Sequence, residues 1–110
     1  MSMKQYNWKP VISSLVRQLI KDGFVPFKVD DGGDELESTP SAKSAVDAMN
    51  AVDESYLLVK KNGKRFGLLI ILGNSPEETV ADHSCDPELE ESVNTFSHRW
   101  AGKPCPMVEI

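Results

Sequence analysis

Apolar residues recur with two different periods along this chain, and each change of period marks an element. Between residues 8 and 22, Val11, Ile12, Leu15, Val16, Leu19 and Ile20 return at helical spacing and predict an amphipathic helix. Pro10 suits its first turn, and Gly23 is placed to close it in the left-handed conformation. The segment FVPFKV, residues 24–29, predicts a short strand. Pro26 has no N–H to give to a ladder, which puts this strand at a sheet edge. A second helical pattern starts at Thr39-Pro40, a cap followed by Pro, and runs to about Val52. Its inner positions, Ala42, Ala45, Val46 and Met49, are mostly small. A third follows Asp86-Pro87, with Leu89, Val93, Phe96 and Trp100 at spacings of four, three and four. His98 and Arg99 suit its last turn, and Gly102 ends it.

The most telling stretch is YLLVKKNGKRFGLLIILG, residues 56–73. It reads as two strands joined by Asn62-Gly63, a dipeptide that favours a tight two-residue hairpin. That turn pairs Lys61 with Lys64, Lys60 with Arg65, Val59 with Phe66 and Leu57 with Leu68. A shorter strand, residues 79–83, returns antiparallel beyond the Asn74-Ser75-Pro76 break. The second hairpin strand is apolar on both faces. Phe66, Leu68, Ile70 and Leu72 share one side, and Leu69 and Ile71 share the other. Strands of this kind are usual where both faces are covered. Either the helices split between the two faces, or a second molecule covers a face bearing Tyr56, Leu58, Leu69 and Ile71.

These elements predict a single α+β domain over residues 1–110, in the order α-β-α-β-β-β-α. A mainly antiparallel four-stranded sheet, with the hairpin at its centre, is packed by two amphipathic helices and one Ala-rich helix. Residues 30–38, DDGGDELES, form an acidic loop, and residues 103–110 an extended C-terminal tail with two prolines.

Composition changes this picture little: 40% hydrophobic and 26% charged residues are those of a globular domain. No apolar run approaches the ~20 residues that span a bilayer. MSMKQYNWKP has no signal-like apolar region, so the expectation is a cytoplasmic protein with no membrane contact. The net charge of −5 is distributed in blocks. Basic residues dominate 1–29 and 56–75, while acids dominate 30–55 and 76–110. An acidic total argues against a general nucleic-acid binder. Cys85 and Cys105 flank the third helix, ~22 Å long, and read as free thiols.

Four features bear on chemistry. The hairpin tip, Lys60, Lys61, Lys64 and Arg65, is a candidate patch for an anionic partner, with no interleaved aromatic for base stacking. His83, Cys85, His98 and Cys105 carry metal-ligating atoms. However, ~16 Å of helix separates Cys85 from His98, so the sequence predicts no metal centre and no cofactor. Cys85 before a helix N-terminus, with His83 as base, is the arrangement a cysteine-dependent enzyme would use; the acids around Cys85 oppose thiolate formation. The loop 30–35 lacks the ligand register of a calcium site. There is no P-loop, dinucleotide fingerprint, nucleophile elbow or H-E-x-x-H motif. The reading is a non-enzymatic protein-interaction or regulatory module. Its partner is another copy of itself in a homodimer, or another protein. The candidate interface is Tyr56, Leu58, Leu69 and Ile71. The alternatives are a small-ligand domain, with its pocket between the sheet and the Ala-rich helix, and an enzyme using Cys85 and His83.

Overall fold

The first helix forms where the apolar period predicts it, with both ends closed by local chemistry. A computed structural model of the protein describes residues 4–30, 42–73 and 75–109. Helix α1 spans Lys9–Lys21. The Asn7 side chain accepts a hydrogen bond from the Lys9 N–H at its start. At its end Gly23 adopts φ +92°. The Phe24 N–H then reaches back to the Leu19 carbonyl at 2.8 Å and the Gly23 N–H to that of Ile20, a Schellman closure. Helix α2 spans Ala42–Asn50. The predicted start at Thr39-Pro40 and residues 31–38 of the acidic loop lie outside the described residues. Helix α3 spans Pro87–Trp100, and the Asp86 carboxylate caps it by accepting from the Leu89 N–H at 3.0 Å.

Strands β2 (Val25–Asp30), β3 (Glu54–Lys61), β4 (Lys64–Ile71) and β5 (Val80–His83) form one antiparallel sheet in the order β2-β3-β4-β5. The hairpin is central, and its register is the predicted one at every pair from Glu54–Ile71 to Lys61–Lys64. Asn62 and Gly63 both take positive φ, +52° and +76°, as a type I′ turn requires. The strand bearing Pro26 is at an edge, with an irregularity between Pro26 and Lys28. A second irregularity lies in the β4–β5 pairing, between Leu69 and Ile70. One pairing lies beyond the sequence expectation. Residues Lys4–Tyr6, β1, pair antiparallel with Met107–Glu109, β6, and form a separate two-stranded ribbon. Three-residue strands at the chain ends carry too little periodicity to be read in advance.

All three described α-helices pack on one face of the sheet. The core joins Leu57, Val59, Leu68 and Ile70 of that face to Ile12, Leu15 and Leu19 of α1, Ala45 and Met49 of α2, and Leu89 and Phe96 of α3. Each of these side chains is fully buried. Phe24 and Phe66 meet edge to face at 5.4 Å between ring centres. The result is a two-layer α+β domain, its Cα radius of gyration 13.7 Å close to the ~13 Å expected of a compact chain this long.

One predicted core position is exchanged for a polar one. Ile20 is 44% exposed, whereas Gln18 is 6% exposed. Gln18 shares the line of Val11 and Leu15, toward α3. Its amide is satisfied there: it donates to Asp22 at 2.8 Å and accepts from Arg99 at 2.8 Å. Among the described residues, no helix is long and apolar enough to cross a membrane.

Candidate functional site

Strand alternation sends every second residue of the sheet to the face opposite the helices. In β3 these are Glu54, Tyr56, Leu58 and Lys60, and their partners in β4 are Ile71, Leu69, Gly67 and Arg65. Val25, Lys28 and Asp30 join them from β2, and Asp82 from β5. The four predicted interface residues, Tyr56, Leu58, Leu69 and Ile71, are therefore contiguous at the middle of this face. None belongs to the core cluster. Tyr56 is 49% exposed and Val25 51%, while Leu58, Leu69 and Ile71 are half-buried. No described helix lies over them.

The face is organised in rows across the strands, ~7 Å apart. The row nearest the hairpin turn holds Val25, Lys60 and Arg65. The next holds Lys28, Leu58 and Gly67, and the third Asp30, Tyr56, Leu69 and Asp82. Glu54 and Ile71 form the last. One end is thus basic, the other acidic, and the centre apolar. Phe27, at the β2 irregularity, is gripped by the basic end. The Lys60 Nζ lies 4.7 Å from its ring centre and the Arg65 guanidinium carbon 5.6 Å.

The hairpin-tip cations do not form one patch. Lys60 and Arg65 belong to the open face, and Lys61 points the other way, into the fold. Its Nζ donates to the Asp22 carbonyl at 2.8 Å, pairs with the Glu88 carboxylate at 2.8 Å and sits 4.8 Å from the centre of the Phe24 ring. Lys64 is exposed and makes no bond or ion pair among the described residues. Beside Lys61, Asp22 accepts from the Ser92 hydroxyl at 2.6 Å and from Gln18. The Ser92 and then the Gln18 hydrogen bond hold its carboxyl below the usual carboxylate range; Lys21 and Lys61 add to this, and partial burial opposes it.

Among the described residues no hydrogen bond joins His83 to Cys85. The His83 ring Nδ1 lies 2.9 Å from the Ser84 carbonyl, while Asp82 accepts from the His83 backbone N–H rather than its ring. Cys85 is exposed and Cys105 buried, both as free thiols. Burial pushes the Cys105 thiol up, against a weak contact to the Asn7 carbonyl. Among the described residues no three His, Cys, Asp or Glu side chains converge on a point where an ion would sit. A groove of about 350 Å³ runs between α1 and α2, lined by Lys9, Ser13, Arg17, Lys43 and Asp47 among others. Lys9 and Asp47 are paired across it at 3.2 Å. The opposite side of α2, at Ala45 and Met49, is fully buried.

Comparison with protein-family models, curated proteins and solved structures finds no match to this chain. Function therefore rests on the surface itself. The sequence located the apolar centre of the face. It missed that Lys60 and Arg65 border that centre, a relation that strand alternation alone carries.

Proposed function

We propose that this protein is a non-enzymatic interaction or regulatory module that acts as a homodimer through the open face of its sheet. The observation carrying this reading is the contiguous apolar centre of Tyr56, Leu58, Leu69 and Ile71, outside the core and with no helix over it among the described residues. Tyr56 is exposed and the other three are half-buried; an apolar patch left at the surface and rimmed by charge is the usual mark of an interaction surface. The sheet edges offer a poorer route to association. Pro26 and the adjacent irregularity interrupt the β2 edge, and β5 is four residues long with an irregularity in its own pairing. The face is left as the broad, flat surface on which a second copy can rest.

Light scattering on a sizing column, at two concentrations, tests the proposal. The wild-type chain runs as a dimer, and Leu69→Lys, which puts an ammonium at the centre of the face, runs as a folded monomer. A wild-type chain that is monomeric at both concentrations overturns the homodimer.

A further inference from the structure

We infer that the two copies pack face to face with their strands running in opposite directions, so that the Lys60 end of one face lies over the Glu54 end of the other. The inference rests on the homodimer reading and adds its geometry. Two like faces in a closed dimer are related by a two-fold axis lying between them. For sheets packed with their strands aligned, that axis runs close to along the strands or across them, and the charges separate the two cases.

An axis along the strands keeps every row over itself and exchanges β3 with β4 and β2 with β5. Lys60 then lies over Arg65 of the second copy, so like charges meet at the basic end. An axis across the strands keeps each strand over its own copy and reverses the rows. Lys60 then lies over Glu54 of the second copy, and the Lys28 row over the Asp30 row. In the centre Leu58 faces Tyr56 of the second copy, and Leu69 faces its Gly67. Gly67 has no side chain, and a Cβ there would meet only Leu58 at 3.5 Å and Ser84 at 4.0 Å, so a partner's leucine finds a shallow seat. Packed sheets lie ~10 Å apart. Lys and Glu side chains at the two ends together span that gap. Opposite charges in register attract and like charges opposed repel, so the second arrangement is selected.

Mixing variants tests this directly. In K60E/R65E homodimers carboxylates oppose Glu54, and in E54K homodimers ammonium groups oppose Lys60, so each self-associates more weakly than wild type. Two symmetry-related contacts, each worth a few-fold for a partly exposed pair, give about a tenfold loss. Mixed together, K60E/R65E and E54K restore both contacts and form a heterodimer at near wild-type strength. The axis along the strands predicts instead that K60E/R65E pairs equally with wild type and with E54K, both of which keep Lys60 and Arg65, and that E54K alone changes nothing. Native mass spectrometry of mass-labelled mixtures reads the partition, with melting curves to show that each variant is folded. Preference of K60E/R65E for E54K supports the crossed axis. Preference for wild type, or equal partition, overturns this geometry and leaves the homodimer standing, whereas a monomeric wild type removes both.

Discussion

Lys61→Met separates a structural cation from a functional one within the same basic run. The Lys61 ammonium does three things: it caps the α1 carboxyl end through the Asp22 carbonyl, lies over the Phe24 ring and pairs with Glu88. The cap is a hydrogen bond from a charged donor, worth about 1.5 kcal/mol where part of it is exposed. It also sets a positive charge against the negative end of the helix dipole. The cation–π contact adds about 0.5 kcal/mol. The Glu88 side chain is 66% exposed, so that pair adds no more than a few tenths. Met retains the stem that packs along Phe24, so little apolar contact is lost. The substitution should therefore destabilise the fold by about 2 kcal/mol, which for a chain of this length lowers Tm by roughly 8 °C. Lys64→Met is the control: it removes the same charge from an exposed position where the side chain has no partner among the described residues, and should cost less than about 0.5 kcal/mol. Chemical denaturation of both variants at neutral pH makes the comparison. Equal stability of the two would refute the structural role of Lys61 and return it to the hairpin-tip surface.

Two further outcomes follow from titratable groups. The Asp22 carboxyl is held low in the folded state, so its contribution is present above its ordinary pKa of 3.8 and is lost as pH falls through the lower folded value. Asp22→Asn should cost about 1 kcal/mol at pH 7, and denaturant melts taken down the acid limb should show the gap to wild type closing; a constant gap refutes the assignment. A thiol-reactive chromophore should titrate one cysteine in the native protein, the exposed Cys85, and both only in denaturant, because Cys105 is buried with its thiol pushed up. Two fast-reacting thiols would contradict that burial.

The legible parts of this fold are those where one local rule dominates. Asn62-Gly63 fixes the turn, the turn fixes the register, and the register follows from the sequence at all eight pairs of β3 and β4. Pro26 points to an edge and Asp86-Pro87 to a helix start for equally local reasons. Where two rules compete, sequence reading falls short. Ile20 counts toward an apolar stripe on hydropathy, yet Gln18 holds the buried place because Arg99 and Asp22, far apart in sequence, converge to satisfy its amide. The β1–β6 ribbon joins chain ends that no local pattern links. The open face was readable only as an alternative, because the same apolar positions in β4 fit helices on both faces or on one. The side on which α2 and α3 settle decides between them.

The basic run at the hairpin shows the same limit at the level of function. Read linearly, Lys60, Lys61, Lys64 and Arg65 are one cationic cluster suited to an anionic ligand. In the folded hairpin the strand period divides them. Lys61 turns toward Asp22 and Glu88 and is neutralised inside the domain. Lys60 and Arg65 turn to the open face, where Phe27 holds them at the border of the apolar centre. A cluster that divides in this way offers an anion only part of its charge, which weakens the case for a polyanionic partner. The same division leaves two cations at one end of the open face and Glu54 with Asp82 toward the other. That polarity orients a flat apolar face which shape alone would leave unoriented. In the proposed homodimer the charge pattern would choose between ways of stacking two copies, while the apolar centre would supply the attraction.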